Sequence, residues 1–195
     1  PPRGEKRAVL YVSHHSADVE LREEPLIAEL LQVETGAAFY ACDVGGIGES
    51  RPSNLGVAPP FDSDYFFASN SLMLDRPYLG QRVFDVLRVL EWLSAQGHAE
   101  VHLVAKGWGA LVSTFAALLS TSVIQLTLKN ALRSFTEVAE TEDYRWPYAA
   151  LLPGVLLNLT KVAFGCVDLF GQNCSIFRRF KGGKGIATTF GVVLA

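Results

Sequence analysis

The fold of this chain is decided by one stretch, Val101-His102-Leu103-Val104-Ala105-Lys106-Gly107-Trp108-Gly109-Ala110-Leu111. Its first half is a short apolar run of the kind that forms a strand buried on both faces of a parallel sheet. Two glycines then allow a tight turn, and the apolar residues beyond them continue as a helix. The stretch therefore predicts a strand, a sharp turn and a helix at the centre of the fold.

Five positions at this turn have the spacing of a nucleophile elbow, in which the motif G-x-S-x-G raises a serine hydroxyl above a sheet. These positions hold Ala105, Lys106, Gly107, Trp108 and Gly109. Gly107 stands where the serine would be, and glycine has no side chain that could attack a substrate. The elbow is therefore degenerate, and the sequence assigns it no catalytic residue.

Strands and helices alternate along the chain on both sides of this turn. Apolar runs predict strands at residues 8–12, 37–42, 101–104 and 123–128, and helical periodicity predicts helices at 18–36, 76–96 and 109–120. Residues 53–70 show no clear period and predict an irregular loop with a short helix. Strands separated by helices of this length predict an α/β fold, with a truncated parallel sheet flanked by helices.

Composition limits the number of domains and the classes of partner. The chain has 195 residues, of which 49% are hydrophobic, and a formal net charge of -3. This is enough for one sizeable core, and the charge does not favour nucleic acid as a partner. The three cysteines form no C-x-x-C pair, which argues against a disulfide framework or a zinc site. We expect neither a metal nor a cofactor.

Two histidines, His14 and His15, follow the first predicted strand. Adjacent residues at a strand end point to opposite sides, and no third ligand is spaced nearby, so the pair does not predict a metal site. We predict a loop or an oxyanion-binding region here, to which the backbone N–H of Trp108 would contribute. Ser113 is predicted to lie within the following helix as a packing or helix-surface residue, rather than as a replacement nucleophile.

The order of features from residue 7 to about 156 resembles the α/β-hydrolase fold, and specifically the acetyl xylan esterase-like hydrolases of bacteria. The resemblance is carried by the strand that ends in Ser13-His14-His15, the degenerate elbow, residues 127–132 and the loop at 43–52, which has the pattern D-x-x-G-x-G-x-S-x-P. It implies ester hydrolysis by a serine, followed along the chain by an acid and a histidine.

The residues that this chemistry requires are incomplete. All four histidines, at positions 14, 15, 98 and 102, precede Gly107, so the base is missing as well as the nucleophile. Glu140, Glu142 and Asp143 lie in a region that resembles the one after the sixth strand of the hydrolase sheet. We expect these three residues to form a solvated turn, with a relic of the catalytic acid as the alternative.

The sequence changes character after residue 154. Residues 177–188 read F-R-R-F-K-G-G-K-G-I-A-T. They resemble the second motif of the integral-membrane acyl-phosphate:glycerol-3-phosphate acyltransferase of bacterial phospholipid synthesis, G-H-x-F-P-x-F-x-x-F-K-G-G-K-G-V-A-T. Glycine N–H groups and lysine charges together suit a phosphate group. The predicted phosphate-binding residues are Lys181, Gly182, Gly183, Lys184 and Gly185.

This second resemblance is partial. Gln172 stands where the motif has histidine, and Lys161 and Asp168 interrupt the segment before it, so a complete membrane span is not predicted. We expect an α/β-hydrolase-like domain over residues 1–154, followed by a short, mainly helical, hydrophobic acyltransferase-like fragment over residues 155–195. The preferred interpretation is a catalytically degenerate esterase-like domain fused to an incomplete acyltransferase segment. The alternatives are a glycerol-3-phosphate acyltransferase and a non-catalytic binding or scaffold domain.

The expected partners follow from these interpretations. The small-molecule ligand is an acyl ester or glycerol 3-phosphate, and the C-terminal segment is the element expected to associate with a membrane. The fourth strand would leave an exposed sheet edge through which the chain could form oligomers. The chain as given favours the bacterial cytoplasm or a membrane-associated location, whereas the hydrolase resemblance implies a secreted or periplasmic one.

Overall fold

The computed structural model of this protein describes residues 6–51, 63–132, 134–135 and 148–150. Short 3-10 turns lie at Gly48–Ser50 and Tyr148–Ala150. In chain order the strands and α-helices are β1 (Arg7–Val12), α1 (Ala17–Glu23), α2 (Pro25–Val33), β2 (Ala38–Cys42), α3 (Ser63–Met73), α4 (Tyr78–Ala95), β3 (Glu100–Lys106), α5 (Gly107–Leu119) and β4 (Val123–Lys129).

The four strands form one parallel sheet in the order β2-β1-β3-β4, which confirms the predicted α/β fold with a parallel sheet flanked by helices. Val12 at the end of β1 pairs with Cys42 of β2 and with Ala105 of β3. The loops that follow these three strands therefore leave the sheet at the same edge. In parallel α/β sheets this carboxyl edge is where ligands usually bind.

The core lies on both faces of the sheet, which explains why the central strands are continuous apolar runs. Leu10 and Leu103 belong to the larger cluster, which includes buried residues of α4 and α5. Val9 and Val104 belong to a smaller cluster with two buried residues of α2. Strand β4 differs from the central strands. Its residues Val123, Leu126 and Leu128 pack in the larger cluster on the α5 side. Gln125, Thr127 and Lys129 instead make polar contacts on the α2 side.

The single helix predicted over residues 18–36 is wrong, because the structure has two helices there, α1 and α2. Glu24 lies between them in an extended conformation, and Pro25 begins α2. Proline disfavours the helical conformation in the residue before it, and its missing N–H costs nothing at the start of a helix. The Glu24 side chain also accepts a hydrogen bond from the backbone N of Leu26.

The region predicted as an irregular loop over residues 53–70 contains most of α3, which runs for 11 residues from Ser63 to Met73. Residues 52–62 lie outside the described part of the chain. The elbow helix α5 begins at Gly107, two residues earlier than predicted.

The predicted hydrophobic appendage over residues 155–195 lies outside the described residues. Among the helices of the described ranges, none combines the length and the apolar composition that crossing a bilayer requires.

Candidate functional site

The turn between β3 and α5 has the backbone geometry of an elbow. Gly107 has a φ of 51°, in the left-handed region that side chains other than glycine rarely adopt. Gly109 lies against the end of β1, because a Cβ at this position would be 2.4 Å from the carbonyl oxygen of Val12 and 2.6 Å from that of Ser13. The two glycines therefore let the chain turn sharply and let α5 approach the sheet edge.

The imidazole of His14 fills the space in which a side chain at position 107 would begin. A Cβ built on Gly107 would be 2.7 Å from His14 Nδ1 and 3.0 Å from Cε1. The backbone N–H of Trp108 donates a hydrogen bond of 2.9 Å to His14 Nδ1. An accepting Nδ1 carries no proton, so the proton of the neutral ring is on Nε2. Burial lowers the pKa of His14, and the neighbouring His15 lowers it further.

A second internal group occupies the backbone donors of the loop after β1. The Glu20 carboxylate accepts hydrogen bonds from the backbone N–H groups of His14 at 3.0 Å, His15 at 2.7 Å and Ser16 at 3.3 Å. The Tyr11 hydroxyl donates to the same carboxylate at 2.6 Å. Burial opposes ionisation, but the Tyr11 hydroxyl and these N–H groups hold the pKa of Glu20 below its usual value. Burial and Glu20 together raise the pKa of Tyr11.

Both sources of oxyanion-hole donors are therefore engaged by this protein's own side chains. In an elbow of this kind the donors are the N–H after the nucleophile and an N–H from the loop after a neighbouring strand. Here His14 accepts the N–H of Trp108, and Glu20 accepts the N–H groups of His14 and His15. The structure brings the predicted residues His14 and Trp108 together, and their role in binding an oxyanion stays a prediction.

The loop after β2 packs against the histidine loop through Asp43. The Asp43 carboxylate accepts hydrogen bonds from the Ser13 hydroxyl and, at 2.7 Å, from the backbone N of Ala17. The backbone N of Gly48 donates to the carbonyl oxygen of His15 at 2.8 Å. Gly48 has a φ of 53°, and a Cβ there would lie 1.8 Å from Asp43 Oδ2. Gly48 thus lets this loop close tightly around Asp43 and pack against the histidine loop.

A fully buried arginine supports the elbow tryptophan. The Arg82 guanidinium donates to the carbonyl oxygen of Gly45 at 2.7 Å and to Asp64 Oδ1 at 2.6 Å. Its Cζ lies 4.3 Å from the Tyr78 ring centroid and 5.0 Å from that of Trp108, within the range of cation–π contacts. The sequence reasoning missed Arg82, although its place three residues after Leu79 on the apolar stripe of α4 is a signal that it is buried.

Glu24 joins α2 to the elbow strand, and it was also missed from the sequence. Lys106 and Lys129 both donate to its carboxylate, the latter at 2.5 Å. Burial alone would raise the pKa of Glu24, but the hydrogen bonds from the two lysines lower it to about 2. The second elbow position, Lys106, therefore serves an ion pair on the α2 side of the sheet.

Comparisons with known proteins agree with this fold and add a second similarity. The chain resembles the crystal structure of a Bacteroides fragilis protein assigned as an acetyl xylan esterase, with a TM-score of 0.60 and 16% sequence identity. The match covers 77% of this chain and 46% of that chain, so this chain spans less than half of the esterase's length. At this identity the likeness shows the fold alone. No curated protein sequence matches the chain.

The C-terminal part is similar to a second family. Residues 103–195 match the Glycerol-3-phosphate acyltransferase family. This range is just under half of the chain, and it confirms the resemblance first seen in the glycine-lysine motif. It also extends upstream through most of β3 and through α5 and β4, which belong to the parallel sheet. The esterase-like and acyltransferase-like similarities therefore overlap, and the predicted boundary between residues 154 and 155 stays a prediction.

The remaining predicted residues are placed as follows. Ser113 is fully buried within α5, and its hydroxyl has no hydrogen-bond partner among the described residues, so its placement is that of a packing residue. The acyltransferase-like motif Lys181 to Gly185 and the acidic group at 140–143 lie outside the described residues. Cys42 is a free thiol whose pKa burial raises to about 12.

The two adjacent histidines differ from the prediction in one respect. We expected His14 and His15 to point to opposite sides, which is wrong, because their ring centroids lie 3.8 Å apart. The alternation of a strand does not apply to them, since β1 ends at Val12. No group of three or more metal-ligating side chains occurs within the described ranges.

Proposed function

We propose that this chain joins a catalytically inactive, esterase-like α/β-hydrolase domain to an incomplete glycerol-3-phosphate acyltransferase segment. The observation that carries this proposal is the His14 ring in the space of the missing side chain at Gly107. A serine side chain at position 107 would collide with this ring, so the elbow is packed for a residue without a side chain.

The donors around the elbow support the same proposal. Acyl transfer at an elbow needs a nucleophile, a base and free donors for the developing oxyanion. Gly107 offers no nucleophile, and the N–H of Trp108 already donates to His14. The Glu20 carboxylate already accepts hydrogen bonds from the N–H groups of His14 and His15, which would otherwise be available to an oxyanion.

Hydrolysis of p-nitrophenyl acetate by the full chain tests the proposal. We expect no steady-state turnover above that of buffer, and none in the variant that carries both Gly107→Ser and His14→Ala. The single variant Ser113→Ala is the control, because it removes the fully buried hydroxyl of the elbow helix. Turnover that scales with protein concentration and is abolished by Ser113→Ala would overturn the proposal.

Acyltransferase activity is the second candidate, and the family match over residues 103–195 is the observation that favours it. In this case Lys181 and Lys184 would bind the phosphate of glycerol 3-phosphate. The test is acyl transfer from acyl phosphate to glycerol 3-phosphate by the full chain in lipid vesicles. Activity that is lost in the Lys181→Ala, Lys184→Ala variant would establish this function. Absence of any glycerol 3-phosphate binding would end it.

Two associations belong to the same proposal. Residues 155–195 would attach the chain to a membrane, and vesicle flotation of the full chain with and without these residues tests this. Strand β4 pairs only with β3 within the described residues, and its outer edge would support oligomers. Sedimentation of the full chain at several concentrations distinguishes a monomer from such an oligomer.

A further inference from the structure

Away from the elbow, three side chains form one continuous chain of hydrogen bonds on the α2 side of the sheet. Glu34 Oε1, at the end of α2, lies 2.9 Å from His102 Nδ1, and His102 Nε2 lies 2.9 Å from Thr127 Oγ1. His102 comes from β3 and Thr127 from the neighbouring strand β4. An acid, an imidazole and a hydroxyl are thus arranged in the order of a hydroxyl-activating triad.

The direction of each hydrogen bond follows from the donor groups. An ionised carboxylate can only accept, so Nδ1 of His102 carries the proton that points to Glu34. In the neutral ring Nε2 is then an acceptor, and the Thr127 hydroxyl donates to it. Burial lowers the pKa of His102, although the hydrogen bond to Glu34 acts in the opposite direction. Because the pKa is lowered, the His102 ring is neutral at pH 7. A neutral Nε2 is free to take the hydroxyl proton.

An arginine holds Glu34, the acid of this hydrogen-bonded triad, in place. Arg7 donates to Glu34 Oε1 at 2.6 Å and to Gln125 Oε1 at 2.7 Å. Arg7 therefore fixes the position of the Glu34 carboxylate beside His102. Glu34 and Arg7 are the charged groups that act on the His102 ring.

The base is buried whereas the hydroxyl that would react is partly exposed to solvent, so a substrate could approach the hydroxyl. His102 is 2% exposed, whereas Thr127 is half-buried on the last strand of the described sheet. Ser113 offers an internal contrast, because its hydroxyl is fully buried and has no partner among the described residues. Thr127 thus combines a neighbouring imidazole with partial access from solvent.

We propose that the Thr127 hydroxyl is an acyl acceptor, activated by His102, that takes the acyl group of a small activated ester, with Glu34 as positioning residue. Thr127 Oγ1 bonds to the carbonyl carbon while its proton passes to His102 Nε2. The bond from that carbon to the leaving oxygen then breaks, and the leaving group receives the proton from Nε2. The products are acyl-Thr127 and the free alcohol, and His102 returns to its neutral form. This reaction uses no residue of the elbow.

Stoichiometric acetylation by p-nitrophenyl acetate tests the proposal on the full chain. We expect one rapid equivalent of p-nitrophenolate per chain and one acetyl group located on Thr127 by peptide mass spectrometry. Hydroxylamine should remove this acetyl group, because it cleaves esters but not the amides formed at lysines such as the nearby Lys129. An acetyl group found only on lysines, or no rapid phase, would overturn the proposal.

Variants separate activation from simple exposure of a hydroxyl. Thr127→Val keeps the shape of the side chain and should abolish the ester, whereas Thr127→Ser should retain it. His102→Gln should slow acetylation by about 100-fold, the lower end of general-base effects. Gln125→Ala is the matched control, since it changes a contact of Arg7 on the same face of β4 but leaves the three-residue chain intact. Equal acetylation rates in the wild type and His102→Gln would contradict activation, and thermal melting verifies that both are folded.

The role of Glu34 has its own readout. Glu34→Gln should lower the pH midpoint of the acetylation rate, because the negative charge that favours protonated His102 is removed. A merely structural Glu34 would change stability and leave this midpoint in place. The outcome is independent of the proposed inactivity of the elbow, which concerns sustained turnover rather than a single acyl transfer.

Discussion

Replacing Gly107 with alanine places one new atom against the His14 ring and in a strained backbone. The new Cβ would be 2.7 Å from His14 Nδ1, 3.0 Å from Cε1 and 3.1 Å from Cγ, so the ring has to turn away. This leaves the N–H of Trp108 without its acceptor, at a cost of about 1 to 3 kcal/mol. Left-handed backbone costs a residue other than glycine about 1 to 2 kcal/mol. We expect a net destabilisation of roughly 3 kcal/mol once the lower entropy of the unfolded alanine chain is included.

A double-mutant cycle isolates the part that comes from His14. In the His14→Ala background the ring is absent, and Gly107→Ala should cost only the backbone strain, about 1 kcal/mol. The coupling between the two positions should therefore be about 2 kcal/mol, which is within the range for residues in direct contact.

Urea unfolding of the full chain, followed by tryptophan fluorescence, measures these free energies. The control is Gly80→Ala, because Gly80 lies within α4 and a Cβ there has nothing within 4 Å. This change should stabilise the protein by about 0.5 to 1 kcal/mol. If Gly107→Ala costs the same with and without His14, the ring does not fill the nucleophile position, and the reasoning for an inactive elbow fails.

Three further predictions concern charge and glycine geometry. Glu24→Gln should lower the free energy of unfolding by about 3 kcal/mol at pH 7, whereas the control Glu23→Gln, at an exposed position, should change it little. Because the pKa of Glu24 is lowered from 4.5 to about 2, the difference in free energy of unfolding between Glu24→Gln and the wild type should disappear as the pH falls from 4.5 to 2. Urea unfolding at a series of pH values measures this. Gly48→Ala should destabilise more than Gly97→Ala in the same assay, because both glycines have positive φ but only Gly48 has a neighbour within 4 Å. Because burial lowers the pKa of His14 below 6.5, stability should fall as the pH drops through and below that value, and His14→Ala should reduce this slope.

The parallel sheet and the elbow could be predicted because their signals are local. The apolar run of β3, the glycines at 107 and 109 and the apolar stripe of α4 each specify one element within a short stretch of sequence. The break between α1 and α2 was missed although Pro25 marks it, because the apolar stripe used for the prediction lies wholly after the proline, in α2, and the only buried residue of α1 is Glu20.

The filling of the elbow could not be predicted, because its partners are far apart along the chain. His14 and Trp108 are separated by 94 positions. The sequence placed the His14–His15 loop beside the backbone N–H of Trp108, but nothing in either local sequence indicates that the His14 ring accepts this N–H and fills the space at Gly107. The ion pairs of Glu24 with Lys106 and Lys129 could not be predicted for the same reason, since they depend on the order of strands in the sheet. The absence of a serine at position 107 is visible in the sequence, whereas the group that occupies its place is identified only by the three-dimensional structure.

The packing of His14 against Gly107 also bears on how such a domain could change over generations. A single substitution that introduces serine at position 107 would meet the His14 ring, so this step is disfavoured if stability is under selection. A serine at position 107 fits only when His14 is also replaced, and either substitution alone leaves a less stable fold. The two positions are therefore epistatic, because the effect of a serine at position 107 depends on which residue occupies position 14.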